Sequence, residues 1–310
     1  MQNHSLRAAA EKSGRYHYKR KYKHQLAGYL FALPGYSIYF LFVFIPVVVT
    51  FYLSFTNYDL YHTRDFIGIS NYIGLAKDPT FLISVKNTFI YSLFTIIPQM
   101  LLGLITAVML NENLYGQKFF RVSFYIPNIT AMAAISMVWL WIYDPTQGIL
   151  NSVLRTLGLP AQKWLFDLNL AMPSVIIMSI WKAIGYNMII YLSGLQQIPG
   201  ELYEAAEVDG ATGIRRFWHI TVPMLKPTSF FLLITGSVNS FSVFEQVNIL
   251  TQGGPMNATT TIVHQIYSRA FTEFKMGYAS AIAVFLLAVV LIITFVNFKY
   301  GNEGADIEAG

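Results

Sequence analysis

Few side chains in this sequence are equipped for covalent chemistry. It contains no cysteine, which excludes a thiol nucleophile, a thiolate metal site and a disulfide scaffold. The six histidines are scattered without metal-ligand spacing. No GxxxxGKS/T, GxGxxG or HExxH run occurs, so nothing cradles a nucleotide or a catalytic zinc. Asp144 and Asp167 are too far apart to read as an acid/base pair. Catalysis and a resident metal are therefore not expected. The groups with chemistry to offer are polar residues set inside apolar stretches: Asn128 and Thr130; Ser179, Trp181, Lys182, Tyr186 and Asn187; Asn239, Ser240, Ser242, Glu245 and Gln246. Polar groups inside a membrane are costly and need a reason. Trp and Tyr faces stack on sugar rings, while amides and hydroxyls bond sugar hydroxyls. The same residues also fit helix packing, an interfacial aromatic belt and helix–helix hydrogen bonds. Lys182 and Glu245 sit roughly 12 and 5 residues from the outer ends of their stretches, an axial offset of about 10 Å. That disfavours a direct pair and leaves Lys182 facing water, another subunit or an anionic solute.

The stretches that carry these groups define the fold class. Hydrophobic residues make up 55% of the 310 residues and charged residues 12%. A soluble domain carries about 25% charged residues, so a lone soluble enzyme, a disordered chain and a nucleic-acid binder are excluded despite the net charge of +5. Six apolar stretches of membrane length, at 26–55, 88–110, 122–143, 170–192, 230–250 and 278–298, predict six transmembrane helices in an all-α polytopic protein. The first contains Pro34 and Pro46 and reads as a tilted or kinked span, too long for a signal-peptide core. With the N-terminus inside, thirteen Lys and Arg face inward and seven outward, which predicts both termini in the cytoplasm. Residues 1–25 form a basic tail, in which 16–24 (YHYKRKYKH) either touches anionic headgroups or serves as a topology anchor. Residues 26–299 form the six-helix domain, and 300–310 a C-terminal tail.

The largest inward loop, about 196–227, has its own pattern. Pro199-Gly200 ends a span, and Glu201 and Glu204 then occupy the first turns of a short helix. Leu202, Ala205 and Ala206 share one small apolar face. Asp209-Gly210 breaks the helix, and Ile214, Phe217 and Trp218 repeat the spacing on a second one. Such a helix–break–helix either docks another protein, whose close approach Ala-Ala permits, or floats on lipid.

Specific residues go further. Glu204-Ala205-Ala206, Gly210 after three residues and Ile220-Thr221-Val222-Pro223 after nine more resemble the EAA loop of ABC importer permeases, with Val222 where Leu is usual. Asp209 and Ala211 complete the run EAAxxDGA. Other segments resemble the permeases of carbohydrate importers related to the maltose system: 66–72, Asp78, Phe81, Asn87-Thr88, 121–127, 143–151, TQGGP at 251–255, 259–261, Tyr267 and 277–281. The likeness spans 28–299. The outer-loop signature is more similar to the maltose F-type permease than to its partner permease, and the closer likeness is to the shorter six-span permeases of oligosaccharide and glycerol-phosphate importers.

This resemblance implies an ABC type I importer permease fold and a permease subunit of an ATP-driven, binding-protein-dependent importer of a sugar or oligosaccharide. It implies ATPase coupling through Glu204, Ala205, Ala206, Asp209, Gly210, Ala211, Ile220 and Pro223. It implies sugar contacts at Trp181 and Tyr186 and a polar contact at Ser240, flanked by Asn239; Val243 replaces a second polar contact. Asn128, Ser179, Lys182 and Glu245 complete the expected solute set. The implied partners are a second six-helix permease of the maltose G-type, two ATPase subunits that hold ATP and Mg, and an extracytoplasmic solute-binding protein. The implied location is a bacterial or archaeal inner membrane. A charged or phosphorylated sugar is an alternative substrate. An autonomous ion-coupled carrier is a remoter one, since no internal repeat is present.

Overall fold

A computed structural model describes residues 29–59, 61, 64–112 and 115–301. The basic tail, including 16–24, and residues 302–310 lie outside the described residues. The chain falls into two units, one ending at Leu53 and the other beginning at Ser54. The first contains α1, Tyr29–Leu53, an apolar helix with a π-helical turn at Phe40–Phe44.

The second unit is helical. It holds α2 (Ser70–Lys77), α3 (Pro79–Asn111), α4 (Gln117–Ile129), α5 (Met132–Ile142), α6 (Ile149–Thr156) and α7 (Ala171–Leu195). It continues with α8 (Gly200–Val208), α9 (Gly213–Arg216), α10 (Lys226–Phe241), α11 (Glu245–Leu250), α12 (Ile262–Tyr267) and α13 (Met276–Gly301). Among the described residues the one β feature is an isolated bridge between Thr56 and Phe66.

Six uninterrupted spans are not what the chain forms. Four described helices are long and apolar enough to cross a membrane: α1, α3, α7 and α13 up to Lys299. The stretch 122–143 is instead the pair α4 and α5, bent by 99°. Its break lies at Thr130, in an extended backbone conformation, and Ala131, whose ψ of 134° is also non-helical, three residues after Pro127. The stretch 230–250 is likewise interrupted, since α10 stops at Phe241 and α11 begins only at Glu245. Apolar composition over a membrane-length window does not locate either break.

The second span also starts earlier than 88. Asp78 caps α3 by accepting from the Thr80 and Phe81 N–H groups, and Pro79 occupies the first turn, where its missing N–H costs nothing. The 33 residues of α3 extend about 50 Å. One end of α3 packs Phe81 with Leu75, Ile262 and Ile282, and the other packs Ala107 and Leu110 with Leu192, Leu195 and Leu225. Between them Tyr91, Val175, Met178 and Val247 form the central core. Helix α4 reaches α7 at Gly185, where any Cβ would collide with the Phe124 carbonyl oxygen.

Candidate functional site

Two regions of the second unit are candidates, a central cavity and an exposed helical loop. The cavity has a volume of about 710 Å³ and opens between α3, α4, α7, α10 and α11. Both interrupted stretches border it. The helix breaks therefore bring backbone ends, as well as side chains, to one place inside the bundle, which is tolerated at membrane depth where a cavity is lined.

Of the eight residues expected to meet solute, seven line this cavity: Asn128, Ser179, Lys182, Tyr186, Asn239, Ser240 and Glu245. Ser179, Lys182 and Tyr186 do so together because they are spaced three and four apart on α7. Trp181 is the exception. It lies on another face of α7, 42% exposed, packed edge-on against Trp139 with ring centroids 5.5 Å apart. A one-residue step on a helix rotates the side chain by about 100°, and the step from Lys182 back to Trp181 carries the indole away from the cavity, toward Trp139.

Lys182 is neither free nor paired with Glu245. Its ammonium donates to the backbone carbonyls of Pro127 at 3.0 Å, Asn128 at 2.9 Å and Thr130 at 3.0 Å. Those carbonyls belong to the end of α4 and the break after it. The lysine supplies the donors that the interrupted helix lacks and sits at the negative end of its dipole.

Helix α3 contributes lining that the reading of spans missed: Tyr91, Thr95 and Gln99, spaced four apart. Gln246 donates to the Tyr91 hydroxyl at 2.9 Å, tying α11 to α3 across the cavity wall. The signal was available, since Ser84, Thr88, Tyr91, Ser92, Thr95 and Gln99 form a buried, mostly polar stripe at helical spacing.

The exposed loop is the second region. Glu204, Ala205, Asp209 and Gly210 are exposed, and Ala206, Ala211, Ile220 and Pro223 are half-buried. Helix α8 ends in a Schellman motif: the Gly210 N–H donates to the Glu207 carbonyl at 3.0 Å and the Ala211 N–H to the Ala206 carbonyl at 2.9 Å. Gly210 takes φ +73°, a left-handed conformation that glycine adopts without strain. The following segment runs through α9, a π-helical turn at Phe217–Thr221 and a last turn at Val222–Met224 into α10. Tyr203 and Thr221 hydroxyls bond at 2.9 Å and hold the two limbs together. Val208, Ile214 and Trp218 stand out at 88%, 77% and 61% exposure, an apolar display fit for a protein partner or for a lipid surface.

At the far end of α3, the segments 78–88 and 251–278 interlock. Arg269 donates to Asp78 at 2.8 Å, and the Tyr278 hydroxyl donates to the same carboxylate oxygen at 2.9 Å. The Asn87 amide donates to the Asn257 and Thr260 carbonyls, and the Thr88 hydroxyl accepts from the Ile262 N–H. Burial pushes the Asp78 carboxyl up, but the Tyr278 hydroxyl, the Phe81 and Thr80 N–H groups and Arg269 outweigh it and hold it below the ordinary value.

A family model described as binding-protein-dependent transport system inner membrane component matches residues 99–300. The probable ABC transporter permease protein YurN of Bacillus subtilis is 37% identical, covering 92% of this chain and 99% of that one. The sn-glycerol-3-phosphate transport system permease protein UgpA of Brucella abortus is 35% identical, covering 91% and 97%. A chain from the crystal structure of a bacterial alginate ABC transporter, in complex with alginate pentasaccharide-bound periplasmic protein, superposes with a TM-score of 0.79. It is 25% identical, with 90% of this chain and 94% of that chain covered.

Proposed function

The chain belongs to the family of binding-protein-dependent transport system inner membrane components, and we propose that it lines one half of the solute path of a sugar or oligosaccharide importer. The observation that carries this reading is the cavity: amide, hydroxyl and phenol groups converge where two helices are interrupted, in a volume suited to a small saccharide. Tyr186 offers an aromatic face, and Asn128, Asn239, Ser242 and Gln246 offer partners for sugar hydroxyls. The alginate pentasaccharide of the similar transporter is in keeping with such a solute.

In this reading the protein spans the inner membrane six times, with the 122–143 and 230–250 spans broken, and both termini lie in the cytoplasm. A second permease supplies the other wall, and two ATPase subunits bind ATP and Mg. Glu204 on α8 is the acidic contact in the ATPase cleft, with Ala205 and Ala206 allowing close approach. Asp209, Gly210 and Ala211 shape the turn, and Ile220 and Pro223 join it to α10. Closure of the ATPases pushes α8, and α10 transmits the push to the cavity, because the loop enters α10 without a flexible linker. A loaded binding protein delivers solute at the α2/α12 end.

The test is uptake by the complete importer in vesicles. Glu204→Lys is expected to leave ATP hydrolysis and abolish uptake. Tyr186→Ala is expected to raise the half-saturating solute concentration, whereas Trp181→Ala leaves it unchanged. Normal uptake in a well-assembled Glu204→Lys importer would remove the coupling assignment. An unchanged half-saturation in Tyr186→Ala would remove the stacking one.

A further inference from the structure

Among the described residues two charged side chains line the cavity, Lys182 and Glu245, and they are not equivalent. An ammonium has three N–H donors. All three of Lys182 are occupied by the Pro127, Asn128 and Thr130 carbonyls at 2.9 to 3.0 Å. No donor is left for a phosphate or a carboxylate, and the surrounding carbonyl dipoles offset the positive field. Glu245 is the opposite case. It is exposed, begins α11, and has no hydrogen bond or ion pair among the described residues. The remaining lining is neutral, without arginine. Lys182 attracts Glu245 through the cavity but has no N–H left to bond an anion, so on this wall an anionic solute would meet a carboxylate and no cation with a free donor. A polyhydroxylated neutral solute would meet amides and hydroxyls that can donate and accept.

We propose that this cavity selects uncharged saccharides, with Glu245 as the residue that rejects anions and Lys182 as a structural clamp on the broken α4–α5 span. The inference rests on the solute-path reading above and narrows it, setting this chain apart from relatives that handle glycerol phosphate.

The absence of cysteine from the chain permits a test that needs no knowledge of the natural solute. Ser242→Cys and, separately, Asn239→Cys place a thiol on the cavity wall. Each is introduced into the complete importer in membrane vesicles. Labelling of this chain is timed with two methanethiosulfonate reagents of similar size, one bearing trimethylammonium and one bearing sulfonate. Rates are normalised to those with 2-mercaptoethanol and measured without nucleotide and with ATP trapped by vanadate. The cationic reagent is expected to react faster by about tenfold, the effect of one unit charge at cavity distance in a partly aqueous medium. Glu245→Gln in the same background should bring the two rates within about twofold, since the field of the remaining lysine is partly offset by the carbonyl end of α4. Equal or faster labelling by the sulfonate with Glu245 present would overturn the inference while leaving the solute path intact. A cation preference that survives Glu245→Gln would remove Glu245 from the role. Failure of both thiols to react with either reagent in every nucleotide state would overturn the solute-path reading itself.

Discussion

The two ends of the second unit are built on opposite plans. At the α2/α12 end, Asp78, Arg269 and Tyr278 lock three chain segments together, and the ion-pair side chains are only 16% and 17% exposed. At the α8 end, a short helix projects with its acidic and small residues in the open. Among the described residues its one ion pair, Glu207 with Arg216, has side chains 76% and 31% exposed. The comparison teaches which end carries stability and which is left free for a partner. A fold can anchor one end of its helices by shielded charge and leave the other to be completed by docking.

The largest break in this contrast should come from Arg269→Met. It leaves Asp78 half-enclosed without its cation, a change that costs about 3 kcal/mol for a shielded pair. Glu273, which also binds Arg269 at 2.7 Å, retains Lys275 and keeps its charge satisfied. Thermal unfolding of the detergent-purified importer should show a clear drop in midpoint. An unchanged midpoint would mean the staple is ornamental and the two ends are alike.

Acid should weaken the same end more gently. Asp78 is held below its ordinary value in the folded chain. Its stabilisation is therefore complete above the unfolded carboxylate range and is lost as pH falls through the folded value. Stability measured from pH 7 downward should bend below about pH 4, and Asp78→Asn should flatten that bend. Glu273, also held low by Lys275 and Arg269 against the effect of burial, contributes a slope of the same sign.

At the open end, Gly210→Val should cost about 1–2 kcal/mol locally, because a β-branched residue is forced to positive φ. The expected result is fraying of the α8 terminus with uptake lost per ATP hydrolysed and little movement of the unfolding midpoint. A midpoint drop comparable to that of Arg269→Met would show that this loop, too, carries global stability.

Much of this division was legible in the sequence. The Asp209-Gly210 break is local chemistry, and the loop indeed turns there with a glycine in the left-handed region. The helical character of the chain and the faces of Ser179, Lys182 and Tyr186 also follow from spacing. The breaks at 130–131 and 242–244 do not. The first is held by Lys182, more than 50 residues away, and the Val243 carbonyl in the second accepts from Thr261, 18 residues on. No window of hydropathy contains such partners. Trp181 falls outside the cavity for the converse reason: its type suits a sugar, but its phase on α7 turns it toward Trp139. The start of α3 was missed although Asp78-Pro79 spells a helix cap, because Lys86 and Asn87 interrupt the apolar run.

The smallest effect sharpens the comparison most. Glu207→Gln removes the single ion pair of the α8 end, and an exposed pair of this kind contributes about 0.5 kcal/mol or less. Unfolding midpoint and uptake should both stay at their starting values. Glu204 lies three residues earlier on the same helix and is equally open to solvent, so Glu204→Lys should match it in midpoint yet differ in uptake. Two charge changes of equal cost to the fold and unequal cost to transport would identify α8 as a docking surface rather than a strut. Should Glu207→Gln destabilise the importer as much as Arg269→Met, exposure would be no guide here to which charges hold the chain together.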